Sequence, residues 1–226
     1  MEENKKHPYV LAYTMGYVGV DMVLQAMRSL NIPCHRCHHE NIEQYHYKDA
    51  PTITMIREPI SWHISREFDL CLNQGLPYPT VAEFRERFLV KEFLIQPNCK
   101  ERPEWWFDMY HRPITGVNIS RAAFDRRKKW KIYSIRALLL RTDALSYALP
   151  EALKAFLPFY YPDVDFDRLD TNYKDKEEEL FGEYYNEFIA ELKLPLSFLR
   201  ELYRMQFWRT FFHVSELKDL VDKWKE

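Results

Sequence analysis

Residues 8–30 constrain this chain more than any other stretch. Pro8-Tyr9-Val10-Leu11-Ala12-Tyr13-Thr14-Met15 is a short apolar run that stops at glycine, the pattern of a buried strand. Gly16-Tyr17-Val18-Gly19 reads as a turn. From Val20 to Leu30 the apolar residues Met22, Val23, Ala26, Met27 and Leu30 recur at three- and four-residue spacing, which predicts an amphipathic helix. Asp21 sits in its first turn, where an acidic side chain suits a helix N-terminus, and Asn31-Ile32-Pro33 ends it.

The next elements repeat the alternation. Residues 34–38 offer a second strand. Thr52-Ile53-Thr54-Met55-Ile56, β-branched and apolar, offers a third. That third strand runs into Arg57-Glu58-Pro59, with a helix predicted from Ile60 to Leu72 and Pro59 in its first turn. Strand, helix, strand, strand, helix predicts an α/β sheet whose functional loops leave the carboxyl ends of the strands. Further along, Thr80 caps a helix, and residues 130–134 and 137–141 read as two more strands. Residues 144–156 form a helix interrupted near Pro150, and 161–173 form a long loop. Helices are predicted over 175–192, 196–206 and 215–224. No repeat and no Gly/Ser linker divides residues 1–226, so one domain is expected.

Composition narrows the partners. Lys+Arg 32 against Asp+Glu 34 leaves a formal charge of -2, which argues against a protein whose task is to coat nucleic acid. Aromatic residues at 16% exclude a disordered chain. No eighteen-residue apolar run exists to span a membrane, and Met1 to His7 lacks the apolar stretch of a signal peptide, so a cytoplasmic location is expected.

Cys34-His35-Arg36-Cys37-His38-His39 matches both a CxxC metal pair and a CxxCH haem-attachment site. A zinc site needs four ligands, and outside this segment no second CxxC or HxxxH completes it; covalent haem attachment needs export. No metal is expected. Cys71 and Cys99 are scattered elsewhere.

These patterns together resemble the sulfotransferase superfamily, and within it the bacterial putative capsular polysaccharide synthesis proteins. In that family a first strand leads into a phosphosulfate loop, Lys-Val-Gly-Ser-Ser, and a helix. A later strand ends in Arg-Asp-Pro with a serine eight residues past the arginine. Here Val10–Met15 leads into Gly16-Tyr17-Val18-Gly19-Val20-Asp21, and the second element is Ile56-Arg57-Glu58-Pro59 with Ser65. Trp106-Phe107-Asp108, Leu139-Leu140-Arg141-Thr142-Asp143, the segment Asn172–Lys176, Leu202-Tyr203, Phe211–Glu216 and Trp224 extend the similarity over nearly the whole chain. The resemblance implies a P-loop-like fold with a mostly parallel sheet flanked by helices. It implies sulfuryl transfer from 3′-phosphoadenosine 5′-phosphosulfate (PAPS) to a glycan or another small hydroxyl acceptor, in polysaccharide biosynthesis. Gly16, Tyr17, Val18, Gly19 and Val20 would line the phosphosulfate, and Arg57 and Ser65 would hold the 3′-phosphate. His38 is the candidate general base.

The loop departs from the family at three positions. Tyr17 stands where the lysine is expected, and Val20 and Asp21 replace two small hydroxyl residues. At about 4 Å and an effective dielectric near 20, a carboxylate and a bound phosphate repel by roughly 4 kcal/mol. A helix N-terminus offers an exposed anion only about 0.3–1 kcal/mol. Repulsion therefore wins unless Asp21 turns away, is protonated or is paired with a cation. That supports two rival readings, a catalytically silent nucleotide- or glycan-binding relative and a structural protein on the same scaffold.

Each candidate also has a plain structural reading. Arg57 can pair with a nearby acid such as Glu58, Ser65 can be an ordinary helical serine, and His38 or His39 can be a polar strand end. Arg121, Arg126, Arg127, Lys128, Lys129 and Lys131 form a basic cluster that suits a solvated face, as does the acidic run 175–179. Trp62, Trp105, Trp106 and Phe107 can stack on a ligand or fill a core; Phe207, Trp208, Phe211 and Phe212 read as core.

Overall fold

The computed structural model describes residues 7–45, 47–90, 103–119, 123–170 and 180–226. Its strands are β1 (Val10–Tyr13), β2 (Cys34–Cys37), β3 (Thr52–Ile56), β4 (Trp130–Ser134) and β5 (Ala137–Arg141). Its main helices are α1 (Val20–Ser29), α2 (Pro59–Gln74), α3 (Val81–Val90), α4 (Leu145–Phe156), α5 (Glu183–Glu191), α6 (Leu196–Arg204), α7 (Gln206–Phe211) and α8 (Val214–Trp224). Cys99, Arg121, the segment 172–176 and the acidic run 175–179 lie outside the described residues.

The chain packs as two compact units. A sheet unit comprises Met1–Glu58 and Trp106–Tyr173, and a helical unit comprises Pro59–Trp105 and Lys174–Glu226.

The sheet unit is α/β, with five strands in the order β2-β1-β3-β5-β4. The first four run parallel and β4 pairs antiparallel with β5. Every residue of β1, β3 and β5 is buried, which is why these strands are continuous apolar runs without alternation. The edge strand β2 carries exposed His35 and Arg36 instead. Helices α1 and α4 pack against β2 and β5 respectively. The chain runs from β1 through α1 to β2 on one side, and β3 then falls on the other side of β1. The order therefore reverses between β1 and β3, and open α/β sheets bind ligands in the crevice beyond the carboxyl ends of strands at such a point.

The helical unit is packed by rings. Phe68 of α2 stacks on Tyr78 with centroids 4.7 Å apart and meets Phe181, Tyr185 and Phe188 edge-on. Phe84 and Phe88 of α3 stack on each other, and Phe84 abuts Phe188. His213 and Glu216 close a reciprocal capping box at the start of α8.

Three elements differ from the sequence reading. α4 passes through Pro150 without a break. The carbonyl that loses its partner there belongs to Ser146, which is exposed and can bond water. The helix expected over 196–206 divides at Met205, whose backbone is extended (φ -60, ψ 133), into α6 and α7. Phe107–His111 is a π-helical turn that no periodicity announces. Among the described residues no helix is long and apolar enough to cross a membrane.

Candidate functional site

The carboxyl ends of β1, β2, β3 and β5 bring together most of the residues singled out above, all in the sheet unit. Their centre is the loop after β1. Gly16 (φ 87), Tyr17 (φ 54) and Gly19 (φ 77) are all left-handed. For Tyr17 that conformation costs roughly 1–2 kcal/mol, so neighbouring groups must enforce it.

Those groups come from the ends of three other strands, one on the β2 side of β1 and two on the β3 side. His38, after β2, has its ring Nδ1 2.9 Å from the carbonyl oxygen of Thr14. Arg57, after β3, donates from Nη1 to the carbonyl of Tyr17 at 3.2 Å. Thr142, after β5, donates its hydroxyl to the carbonyl of Val18 at 3.0 Å. The carbonyls of Thr14, Tyr17 and Val18 are thus occupied, whereas the N–H groups of Val18, Gly19 and Val20 have no acceptor among the described residues. Gly19, left-handed, is followed by the right-handed first turn of α1, and such a junction forms a concave set of donors suited to an anion. A Cβ on Gly19 would sit 2.9 Å from Leu145 Cδ1, so glycine is required there by space as well as by φ.

Asp21 is paired. Arg36 on β2 donates to its Oδ1 at 2.5 Å, and both side chains are about half exposed. The carboxylate at the mouth of α1 thus faces a guanidinium contributed by the neighbouring strand, which reduces the repulsion it would exert on a bound anion.

His38 is well defined. Its N–H donates to Asn41 Oδ1 at 2.7 Å, and Asn41 N–H returns a bond to its carbonyl. Because a carbonyl only accepts, the bond to Thr14 places the ring proton on Nδ1 and leaves Nε2 as the basic nitrogen. The Cε1 edge of the ring lies 3.9 Å from where a Cβ on Gly16 would be, so the imidazole stands beside the loop. His39 is engaged differently, with Nε2 3.0 Å from Glu40 and its ring stacked on Tyr110 at 4.0 Å. Burial pushes the thiols of Cys34 and Cys37 up to about 12, so both are protonated at neutral pH.

Ser65 lies in α2, in the helical unit, whereas Arg57 belongs to the sheet unit. Ser65 is 2% exposed. Its hydroxyl donates to the Ser61 carbonyl at 3.0 Å, so the Tyr185 hydroxyl, 2.9 Å away, is the donor in the second bond. Trp62, in the same helix, is buried, with the Arg66 guanidinium 5.9 Å over its ring. Trp106 and Phe107 are also buried, Trp106 against Tyr13. In the basic cluster, Asp125 accepts from the backbone of Arg127 and Lys128, and Lys128 lies over Trp130.

Sequence reasoning quoted Thr142 without giving it a role and did not single out Arg36, Thr14 or Asn41. Position was the available signal, because each falls on or just beyond a parallel strand. No protein-family profile, curated protein or solved structure matches the chain.

Proposed function

We propose that the protein is a PAPS-dependent sulfotransferase acting on a glycan or other small hydroxyl acceptor, with a P-loop-like sulfotransferase fold and a divergent phosphosulfate loop. One observation carries this reading: the carbonyls of Tyr17 and Val18 are bonded to strand-end side chains, and the N–H groups of Val18, Gly19 and Val20 are left for an anion at a sheet switch point. The donor's phosphosulfate sits on that loop. The acceptor hydroxyl attacks sulfur as the bond to the bridging oxygen breaks, and 3′,5′-adenosine diphosphate (PAP) leaves with the developing negative charge on its 5′-phosphate. Backbone donors already in place stabilise that charge without reorganising. His38 Nε2 takes the acceptor's proton, with Nδ1 held by Thr14 so that the ring is in the basic tautomer. The resemblance adds Arg57 and Ser65 as holders of the 3′-phosphate.

Tyr17, in place of the expected lysine, favours a second reading, a silent relative that binds the nucleotide without turning it over. Calorimetric titration with PAP, followed by labelled-sulfate transfer to a panel of glycans, separates the two. The enzyme reading expects His38→Gln to lower kcat by roughly 10²–10⁴-fold with PAP affinity unchanged. PAP binding without transfer by the wild type selects the silent relative. No PAP binding at millimolar concentration removes both.

A further inference from the structure

We infer that Arg57 and Thr142 are positioning residues for the anion loop, acting from behind it, and that Arg57 serves the 5′-phosphate end of the nucleotide and not the 3′-phosphate. The inference rests on the nucleotide-binding reading above and changes the role of one of its residues.

The argument begins with the peptide bond. Every described peptide is trans, and in a trans peptide the C=O of one residue and the N–H of the next point in opposite directions. Arg57 holds the carbonyl of Tyr17, so the N–H of Val18 is turned away from Arg57. Thr142 holds the carbonyl of Val18, so the N–H of Gly19 is turned away from Thr142. These two side chains follow strands that are paired in register, since Ile56 of β3 lies opposite Arg141 of β5 and each clamp is the next residue. They therefore grip successive carbonyls from one side, and the two N–H groups are presented on the other.

Two successive carbonyls drawn to one side require a non-extended backbone at Val18, the residue between their two peptide planes, and Val18 lies in the bend that follows β1. A lysine in the loop would add a charge in front of the anion. Here a strand-end guanidinium instead holds the peptide that faces it. A guanidinium is suited to this, because its charge-assisted bond to a carbonyl is stronger than a neutral one.

The test uses the intact chain and two probe ligands, PAP and adenosine 5′-monophosphate, which share the 5′-phosphate and differ in the 3′-phosphate. Affinities are measured by calorimetry for the wild type, Arg57→Ala, Arg57→Lys, Thr142→Val and Thr142→Ser. Thr142→Val and Arg57→Ala are expected to weaken both ligands by the same factor, about tenfold, leaving the ratio of their affinities as in the wild type. Thr142→Ser and Arg57→Lys, which keep a donor, are expected to recover most of the loss, a rescue that damage to packing would not show.

If Arg57→Ala weakens PAP alone and leaves the monophosphate untouched, the guanidinium holds the 3′-phosphate and the inference falls while the nucleotide reading stands. If Thr142→Val changes neither affinity, the rear clamp falls in the same way. A wild type that binds neither ligand overturns the inference together with the reading beneath it.

Discussion

Among the described residues each of the two units buries one histidine, and the surroundings differ. In the sheet unit His111 is bracketed by hydroxyls, with Thr54 Oγ1 at 3.1 Å from Nε2 and Thr115 Oγ1 at 3.1 Å from Nδ1. Thr115 spends its proton on the His111 carbonyl, so Nδ1 donates and Nε2 accepts from Thr54. In the helical unit His63 is enclosed by rings, edge-on to Trp62 at 4.6 Å and to Phe88 at 5.1 Å. His111 also packs against Tyr13, Trp106 and Phe107, so rings surround both histidines, and around His111 two hydroxyls are set among them. The same contrast separates the loop, gripped by His38, Arg57 and Thr142, from the ring cluster around Phe68. Polar wiring fixes directions of groups, and catalysis needs directions.

Acid should break both units, and this is the largest effect expected. Burial lowers both histidines to about 3, and the charge of Arg66 lowers His63 further. A histidine with a depressed folded pKa binds fewer protons when folded than when unfolded. Its contribution is therefore complete above pH 6.5 and is lost as pH falls from there toward 3. At about 1.4 kcal/mol per pKa unit the ceiling is roughly 5 kcal/mol for each. Urea unfolding between pH 7 and 4 should show a steep loss of stability. His63→Phe should flatten that dependence, and a dependence it leaves unchanged would remove His63 as a cause.

At neutral pH the two histidines should part company. His111→Phe leaves two buried threonine hydroxyls without their ring partner and should cost about 2–4 kcal/mol. His63→Phe exchanges one ring for another in an aromatic shell and should cost less than about 1.5 kcal/mol. Equal losses in urea midpoints would show that the two hydroxyls add nothing to the stability that His111 supplies.

Gly19→Ala comes next. It forces a side chain to φ 77 and against Leu145, with an expected destabilisation of about 1–3 kcal/mol. It should also abolish PAP binding that a Gly75→Ala control retains. Gly75 has a left-handed φ too, but a Cβ there meets nothing within 4 Å. Parallel losses in the two variants would mean that φ alone is the cause, leaving the close approach to Leu145 without a role.

How far the sequence carried the reading follows the same division. β1, β3 and β5 are legible because a strand buried on both faces must be apolar throughout, and α1 is legible because one face must be. The loop was placed correctly at the end of β1, since glycines mark it. Its clamps were not visible: Thr142 is 124 residues from Val18 and Arg57 is 40 from Tyr17. Such pairings depend on strand order, which local pattern does not encode. The partner of Asp21 was hidden for the same reason, because only the parallel pairing of β1 with β2 brings Arg36 alongside. The π-helical turn at Phe107–His111 has no period to detect, and Pro150 misleads because its cost depends on whether the freed carbonyl reaches water.

The smallest effect expected bears on Ser65, where the two kinds of packing meet in one residue. Its hydroxyl is buried within the aromatic unit, yet its single proton is committed to Ser61, and it accepts from Tyr185. Ser65→Ala therefore takes an acceptor away from the buried Tyr185 hydroxyl and should cost about 1–2 kcal/mol. A hydroxyl engaged in this way contributes to nucleotide affinity only by giving up its bond to Ser61, so PAP binding should change by less than about twofold. Tyr185→Phe should recover part of the stability lost in Ser65→Ala when the two are combined, since replacing both members removes the hydroxyl that lost its acceptor. A tenfold loss of PAP affinity in Ser65→Ala, with no such recovery in the double variant, would return Ser65 to the 3′-phosphate.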